Sequence, residues 1–291
     1  MRVWWSEFGD ASSLYLCSVW DEEELIGLAP LVRKGETASF IGCADVCDYQ
    51  DFIVAPGKEE DFFLAMMDHF SREGVTRLDL NSVRRDSLVL THLLKIAQGQ
   101  GSKITCEPDG VTLELDLPPT WDDYLQLLKG KQRHEVRRKL RRLDEAVEIN
   151  YRTLEDKEAI KSEMDVFLNL FRESREDKTT FMSAQMESFF RAISLALAEI
   201  KILRLCFLDL DGQPAAAVLC FEYNDTLYLY NSGYNLNFRS LSAGVLCKVL
   251  SIKDSIERGI KKYDFLKGSE AYKHRLGGRE VPLSRCQIQF G

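Results

Sequence analysis

The feature that most restricts the possible folds is the way the hydrophobic period switches along the second half of the chain. Apolar runs at 147–153, 201–209, 214–222, 226–232, 263–267 and 281–290 read as strands. Between them, Ile160, Met164, Phe167, Leu168 and Phe171 recur at helical spacing, as do Met186, Phe189, Phe190, Ile193 and Leu197, and then Val245, Val249, Ile252 and Ile256. Asp156 and Ser183 stand where N-caps belong, Asp211-Gly212 suits a tight hairpin, and Gly259 ends the third helix. With a short helix at 269–275, the order from 147 onward is β-α-α-β-β-β-α-β-α-β.

The first half is also mixed. Runs 14–19 and 25–33 read as a hairpin, followed by strands at 38–43 and near Phe52, helices at 59–72 and 86–98 around a strand at 76–80, and a strand pair, 103–107 and 111–117, turned by Pro108-Asp109-Gly110. After Pro118-Pro119, Thr120 begins a helical pattern (Trp121, Tyr124, Leu125, Leu128) that resumes beyond Gly130 with Val136, Leu140, Leu143 and Val147. The expected organisation is a mixed α/β (α+β) chain with one domain over 1–118, a helical connector over 119–146 and a second domain over 147–291. A length of 291 residues with 45% apolar content supports two such cores.

Charge is concentrated at the connector. Lys129, Lys131, Arg133, Arg137, Arg138, Lys139, Arg141 and Arg142 face one acid, Glu135, giving +7 in a chain whose net charge is −8, so the remainder carries −15. An acidic chain is a poor general binder of nucleic acid, while a local basic helix can attract an anionic ligand or simply form a solvated face. The acidic start and the charges breaking the apolar region 193–210 predict neither an export signal nor a membrane span. The eight cysteines are dispersed, mostly in strand-like runs, which predicts reduced core thiols and a cytoplasmic protein. Cys43 and Cys47 have no partner pair or histidine at metal-site spacing, so no metal is expected.

The segment Arg239-Ser240-Leu241-Ser242-Ala243-Gly244 joins a strand to an amphipathic helix. Small residues at a helix start let a phosphate approach free amides and the positive end of the helix dipole. The element order is that of the GNAT acyltransferase fold. Three segments resemble its CelD-like (cellulose-biosynthesis-protein) branch: Trp121-x-x-Tyr-Leu followed by Lys131-x-Arg-x-x-x-Arg-Arg-x-Leu-Arg-Arg-Leu143; Gln213-Pro214-Ala215-Ala216 with Leu229-Tyr230-Asn231-Ser232-Gly233-Tyr234; and Tyr263-Asp264-Phe265-Leu266-Lys267-Gly268-Ser269-Glu270-Ala271-Tyr272-Lys273, which is similar to the signature YDFLRGDEPYK.

This resemblance implies tandem GNAT-like domains, related to Fem-type transferases, with a degenerate first domain and acyl-CoA held by the second. It implies donor contacts at Arg239, Ser242, Ala243, Gly244 and Lys273, a catalytic Tyr272 that protonates the leaving thiolate, and Glu270 as base or acceptor-orienting carboxylate, with Asp264 a weaker choice. Tyr234 would line the acyl or acceptor pocket, Arg133 and Arg137 would meet acceptor phosphates, and Asp48 and Asp51 would reach toward the cleft between domains. The expected activity is transfer of an acyl group, most simply acetyl, from CoA to an amine or hydroxyl of a small or sugar-linked acceptor, in polysaccharide or envelope synthesis. Alternatives are a Fem-type transferase using aminoacyl-tRNA and a non-catalytic binding or scaffold protein. Ala243, Ser269, Ala271 and Leu276 replace the Pro, Asp, Pro and Trp usual in that family.

Overall fold

In the computed structural model, which describes residues 1–9 and 13–290, the chain divides into two compact units, residues 1–111 with 281–291 and residues 112–280. The first unit opens with helix α1 (Arg2–Phe8) and the antiparallel hairpin β1 (Ser13–Asp21) and β2 (Glu24–Lys34). β3 (Thr37–Phe40) and the two-residue β4 (Ile53–Val54) both pair with β2. Helix α2 (Glu59–Arg72) and strand β5 (Arg77–Arg84) follow, and then a π-helical turn, Val89–Leu93, continues as α3 (Leu94–Gly99). The core is aromatic: Phe52 meets Phe40, Phe62 and Phe63 edge-on, which suits ring quadrupoles better than face-to-face stacking.

Strand β6 (Lys103–Asp116) runs unbroken through Pro108-Asp109-Gly110, where a turn was expected. Gly110 takes the irregularity at φ 94°, and the Asp109 carboxylate accepts from the Ser82 amide at 2.8 Å, so the polar triplet is tied to β5 instead of folding back.

The second unit begins with the remainder of β6, then α4 (Trp121–Leu127) and α5 (Gly130–Ala146). The Thr120 hydroxyl caps α4 by accepting from the Asp123 amide, and the hydroxyl of Tyr124 donates to the Leu276 carbonyl at 3.1 Å. β7 (Ile149–Leu154), α6 (Lys157–Glu173), a short α7 (Glu176–Phe181) and α8 (Ala184–Glu199) precede the meander β8 (Leu203–Leu210), β9 (Gln213–Tyr223) and β10 (Thr226–Tyr234). A 3₁₀ turn, Leu236–Leu241, leads into α9 (Ala243–Glu257), then β11 (Lys262–Lys267), α10 (Ala271–Arg275) and β12 (Arg279–Gln289).

The sheet of this unit runs β6-β11-β10-β9-β8-β7, antiparallel except for the parallel pair β10 and β11. Every residue of β8 is buried, because α8 and α9 both pack on it while α6 lies on β9 and β10. α6 approaches so closely that a Cβ on Gly233 would sit 2.3 Å from the Phe171 amide nitrogen.

The mixed α/β class and the element order from 147 onward agree with expectation, with α7 additional. The boundaries do not coincide with the expected ones. The first unit ends at 111, the helices of the connector belong to the second, and residues from 281 return to the first, where β12 pairs antiparallel with β5. The reading of eight reduced thiols is corrected as well: Cys106 on β6 and Cys286 on β12 are joined as a disulfide, their Cα atoms 4.3 Å apart. Neighbouring strands bring together two cysteines that are 180 residues apart in sequence. Among the described residues, no helix is long and apolar enough to cross a membrane.

Candidate active site

The parallel strands β10 and β11 are paired only over Thr226–Tyr228 and Lys262–Asp264, after which β10 continues to Tyr234 without β11 as its partner. Irregularities just beyond that point explain the parting. β10 shifts register against β9 between Leu229 and Asn231, and β11 shifts against β6 between Asp264 and Lys267. Such bulges bend a strand and leave backbone groups unpaired. In β11 the distortion is fixed by Leu266 at φ 58°, whose amide donates to the buried Asp264 carboxylate at 2.8 Å. Asp264 is therefore part of the wall.

Lys273 completes this wall. Its side chain is 3% exposed, and Nζ donates to the carbonyls of Leu266, Lys267 and Gly268 at 3.1, 2.7 and 3.1 Å, with the Glu270 carboxylate at 3.0 Å. An ammonium has three protons, and here three carbonyls at the bulge accept them. The expected phosphate role for Lys273 thus gives way to a structural one. Glu270 is half-exposed; burial alone would raise its carboxyl, but hydrogen bonding and charge from Lys273 hold it below its ordinary value, which makes it a weak base.

Tyr272 lies between these residues on α10, its ring meeting Phe265 edge-on. Burial, with the charge of Glu270, pushes its phenol well above the ordinary value, so it stays protonated. Over its ring, 4.9 Å from the centroid, stands Nζ of Lys248, a residue that periodicity had placed simply within a helix. Lys248 is 6% exposed and donates to the Gly244 carbonyl at 3.0 Å. Burial lowers its pKa to about 8, against the opposing influence of Cys247, Cys220 and Glu270, and Lys273 lowers it further. Only the burial of a cation inside an otherwise apolar helix face could have signalled this group from sequence.

The lowered value has a thermodynamic consequence. Between pH 8 and 10.5 the unfolded chain holds a proton that the folded chain has released, so this group's penalty is complete at pH 7 and fades as pH rises through that window. Lys248→Met is expected to stabilise the fold by about 3 kcal/mol at neutral pH, and the gain in Tm should shrink by pH 10. Thermal melts at several pH values check this; a gain independent of pH would contradict it.

At the head of α9, Ser242 adopts the left-handed conformation (φ 61°) and its carbonyl accepts from both Val245 and Leu246. Among the described residues, the amides of Ala243 and Gly244 make no backbone hydrogen bond outside the helix. Ala243 is fully buried, so its contribution is its amide and its small size. Gly244 is needed for packing: a Cβ there would lie 2.8 Å from the Tyr234 ring, which is how Tyr234 seats the helix against the end of β10. Arg239 is exposed on the preceding 3₁₀ turn.

A pocket of about 430 Å³ lies between α5, α9 and α10, lined by Lys131, Gln132, Glu135, Val136, Lys139, Val245, Tyr272, Arg275 and Leu276. The basic helix contributes positions 131, 135 and 139, one helical face. Arg133 and Arg137 fall on other faces; Arg133 donates to Gln126 at 2.6 Å and Arg137 is exposed. In the first unit, Asp51 is half-buried and both its oxygens are engaged, by the Phe52 amide at 2.9 Å and the Leu88 amide at 2.8 Å. It caps the π turn, while Asp48 lies on the same loop with an interaction of its own. The structure therefore gathers Tyr272, Glu270, Lys273 and the head of α9 and leaves Arg133 and Arg137 out of that cluster, while Asp48 and Asp51 belong to the first unit.

Parting parallel strands, a helix that starts beside the end of β10 and a tyrosine-bearing helix after the second strand make up this site. Residues 130–274 match the family model described as an acetyltransferase (GNAT) domain. Across both units the fold is similar to FemX (TM-score 0.64, 14% identity, covering 97% of this chain and 90% of that one). It is also similar to the C-terminal domain of a putative lysylphosphatidylglycerol synthetase from Agrobacterium fabrum (0.63, 11%, 95% and 84%) and to L-PGS from Bacillus licheniformis (0.58, 9%, 94% and 84%). None of the curated proteins matches the sequence.

Proposed function

We propose that the protein is an acyl-CoA-dependent acyltransferase, moving an acyl group, most simply acetyl, to an amine or hydroxyl of a small or sugar-linked acceptor. The observation that carries this reading is the short pairing of β10 with β11, which leaves the edge of β10 open beside the head of α9. The donor's diphosphate would meet the amides of Ala243 and Gly244, with Ser242 shaping the turn and Arg239 adding charge. The thioester would then lie toward Tyr272.

In acyl transfer, the acceptor nitrogen or oxygen bonds to the carbonyl carbon and the carbon–sulfur bond breaks. Tyr272 is better suited to donate a hydrogen bond to the departing sulfur than to surrender its proton, because its raised pKa lies far above that of a thiol, about 8.5. The proton lost by the acceptor can then end on the thiolate. Glu270 orients the acceptor, its charge maintained by Lys273. The CelD-like signature at 263–273 supports membership of that branch and a role in polysaccharide or envelope synthesis.

Calorimetric titration with acetyl-CoA is expected to show saturable binding at submillimolar concentration, and its absence would rule the reading out. Ribonuclease sensitivity of the transfer assay would instead mark an aminoacyl-tRNA donor.

A further inference from the structure

We propose that the outer edge of β1 is a dimerisation surface, to which a second copy of the chain adds its own β1, antiparallel across a two-fold axis through Cys17.

The edge is open, and its outward-facing backbone groups can be assigned. Among the described residues, β1 pairs with β2 and with no other strand, so it stands at the end of the sheet. Leu16 lies opposite Pro30. Proline has no N–H to donate, and the Pro30 carbonyl accepts from the Ile41 amide at 2.9 Å, on the side of β2 that faces β3. The pair is therefore of the non-hydrogen-bonded kind, and the N–H and C=O of Leu16 point away from β2. Alternation turns the backbone groups of Leu14 and Ser18 the same way. The register shift near the end of the hairpin skips Ile26 on β2, between Val19↔Gly27 and Trp20↔Leu25, so β1 itself stays regular.

Natural edge strands are shielded by a charge, a proline, a bulge or a covering element. From Ser13 to Trp20 the strand has no charged residue and no proline. On the face toward α2, a groove of about 460 Å³ stays open beside Tyr15, Cys17 and Val19, walled by Ala65 and His69. On the other face, Leu14, Leu16 and Trp20 are 47%, 54% and 57% exposed.

Charge selects a second copy as the occupant. A surface that meets itself across a two-fold axis sets each of its charges near the image of that charge, so it must be locally neutral. In a chain of net charge −8, this edge is uncharged over eight successive residues, and Asp21 at its end is matched by Lys58 at 2.8 Å. A dyad at Cys17 engages the strand from end to end. It sets Leu14 against Trp20 of the second copy and Leu16 against Ser18, so the exposed apolar side chains cover one another. The outward groups of Leu16 and Ser18 then exchange hydrogen bonds. Cys17 meets its own image in a non-hydrogen-bonded pair, with Cα atoms about 4.5 Å apart, which is within disulfide reach.

Sedimentation velocity of the full chain is expected to show a dimer forming at micromolar concentration. Leu16→Lys should weaken it by about a hundredfold or more, because each new ammonium faces the other across the dyad. Its Tm should match wild type, since the Leu16 side chain is exposed. Ser18→Lys, at another exposed position, repeats the test should Leu16→Lys fail to fold. Ile200→Lys, at an exposed apolar residue of the other unit, should leave the dimer intact. Oxidation by copper phenanthroline is expected to cross-link the wild-type dimer, and Cys17→Ser should remain dimeric without the cross-link. A chain that is monomeric at every concentration, a dimer that tolerates Leu16→Lys and Ser18→Lys, or a dimer whose Cys17 thiols do not join would each overturn the proposal.

Discussion

Lys273→Met is expected to destabilise the protein by about 3–5 kcal/mol, lowering Tm by roughly 10 °C. The magnitude follows from what the ammonium holds. Three carbonyls, of Leu266, Lys267 and Gly268, converge on Nζ because β11 turns out of its ladder there. A methionine fills the volume but removes the ammonium's three hydrogen bonds to those oxygens, and it strips Glu270 of its partner. Arginine should restore little, since a planar fork cannot direct three donors at carbonyls grouped around one point. Chemical denaturation measures the loss. A Lys273→Met protein with wild-type stability and weakened donor binding would return this residue to the phosphate role suggested by its place in the signature.

The same residue shows which parts of the site were legible in the sequence. Period and capping located the elements of the second unit because each helix there buries one face and each strand obeys the spacing of its layer. Thr120, Asp156 and Ser183 cap the helices they appeared to cap. The start of α9 was also legible, since small residues ahead of an amphipathic apolar pattern mark a helix N-terminus. Direction was not. The connector's charges were visible, but whether positions 131 and 139 or 133 and 137 face a cavity depends on how α5 is rotated against α9, and rotation is set by tertiary packing. Lys248 was hidden for a related reason: a cation on a helix reads as surface unless its neighbours show that the face is buried. The turn expected at Pro108-Asp109-Gly110 failed because Asp109 finds a partner in Ser82, distant in sequence, and a glycine at positive φ serves a bulge as well as a hairpin. Return of the chain after 280 to the first unit, and with it the joining of Cys106 to Cys286, is likewise long-range information.

Tyr272→Phe is expected to lower kcat by about 10²-fold while changing the donor's Kd less than threefold, the effect typical of removing one aimed donor at a reacting centre. The ring would remain, and with it the contacts to Phe265 and to Lys248, so the fold and the shape of the pocket should persist. What disappears is one hydroxyl in a site where burial raises the worth of each hydrogen bond. Because the phenol stays protonated, its loss should lower the pH–rate profile evenly and leave the position of its limbs in place; a base or acid titrating near neutrality would shift them. Stopped-flow or steady-state assay of thiol release across pH 6 to 9, as a roughly neutral window in which the fold can be followed, reads both quantities. An unchanged kcat would remove Tyr272 from the chemistry and leave it as a wall of the pocket shared with Lys131, Lys139 and Arg275. A lost basic limb would show instead that the phenol titrates, and that the burial of α10 is relieved when the donor binds.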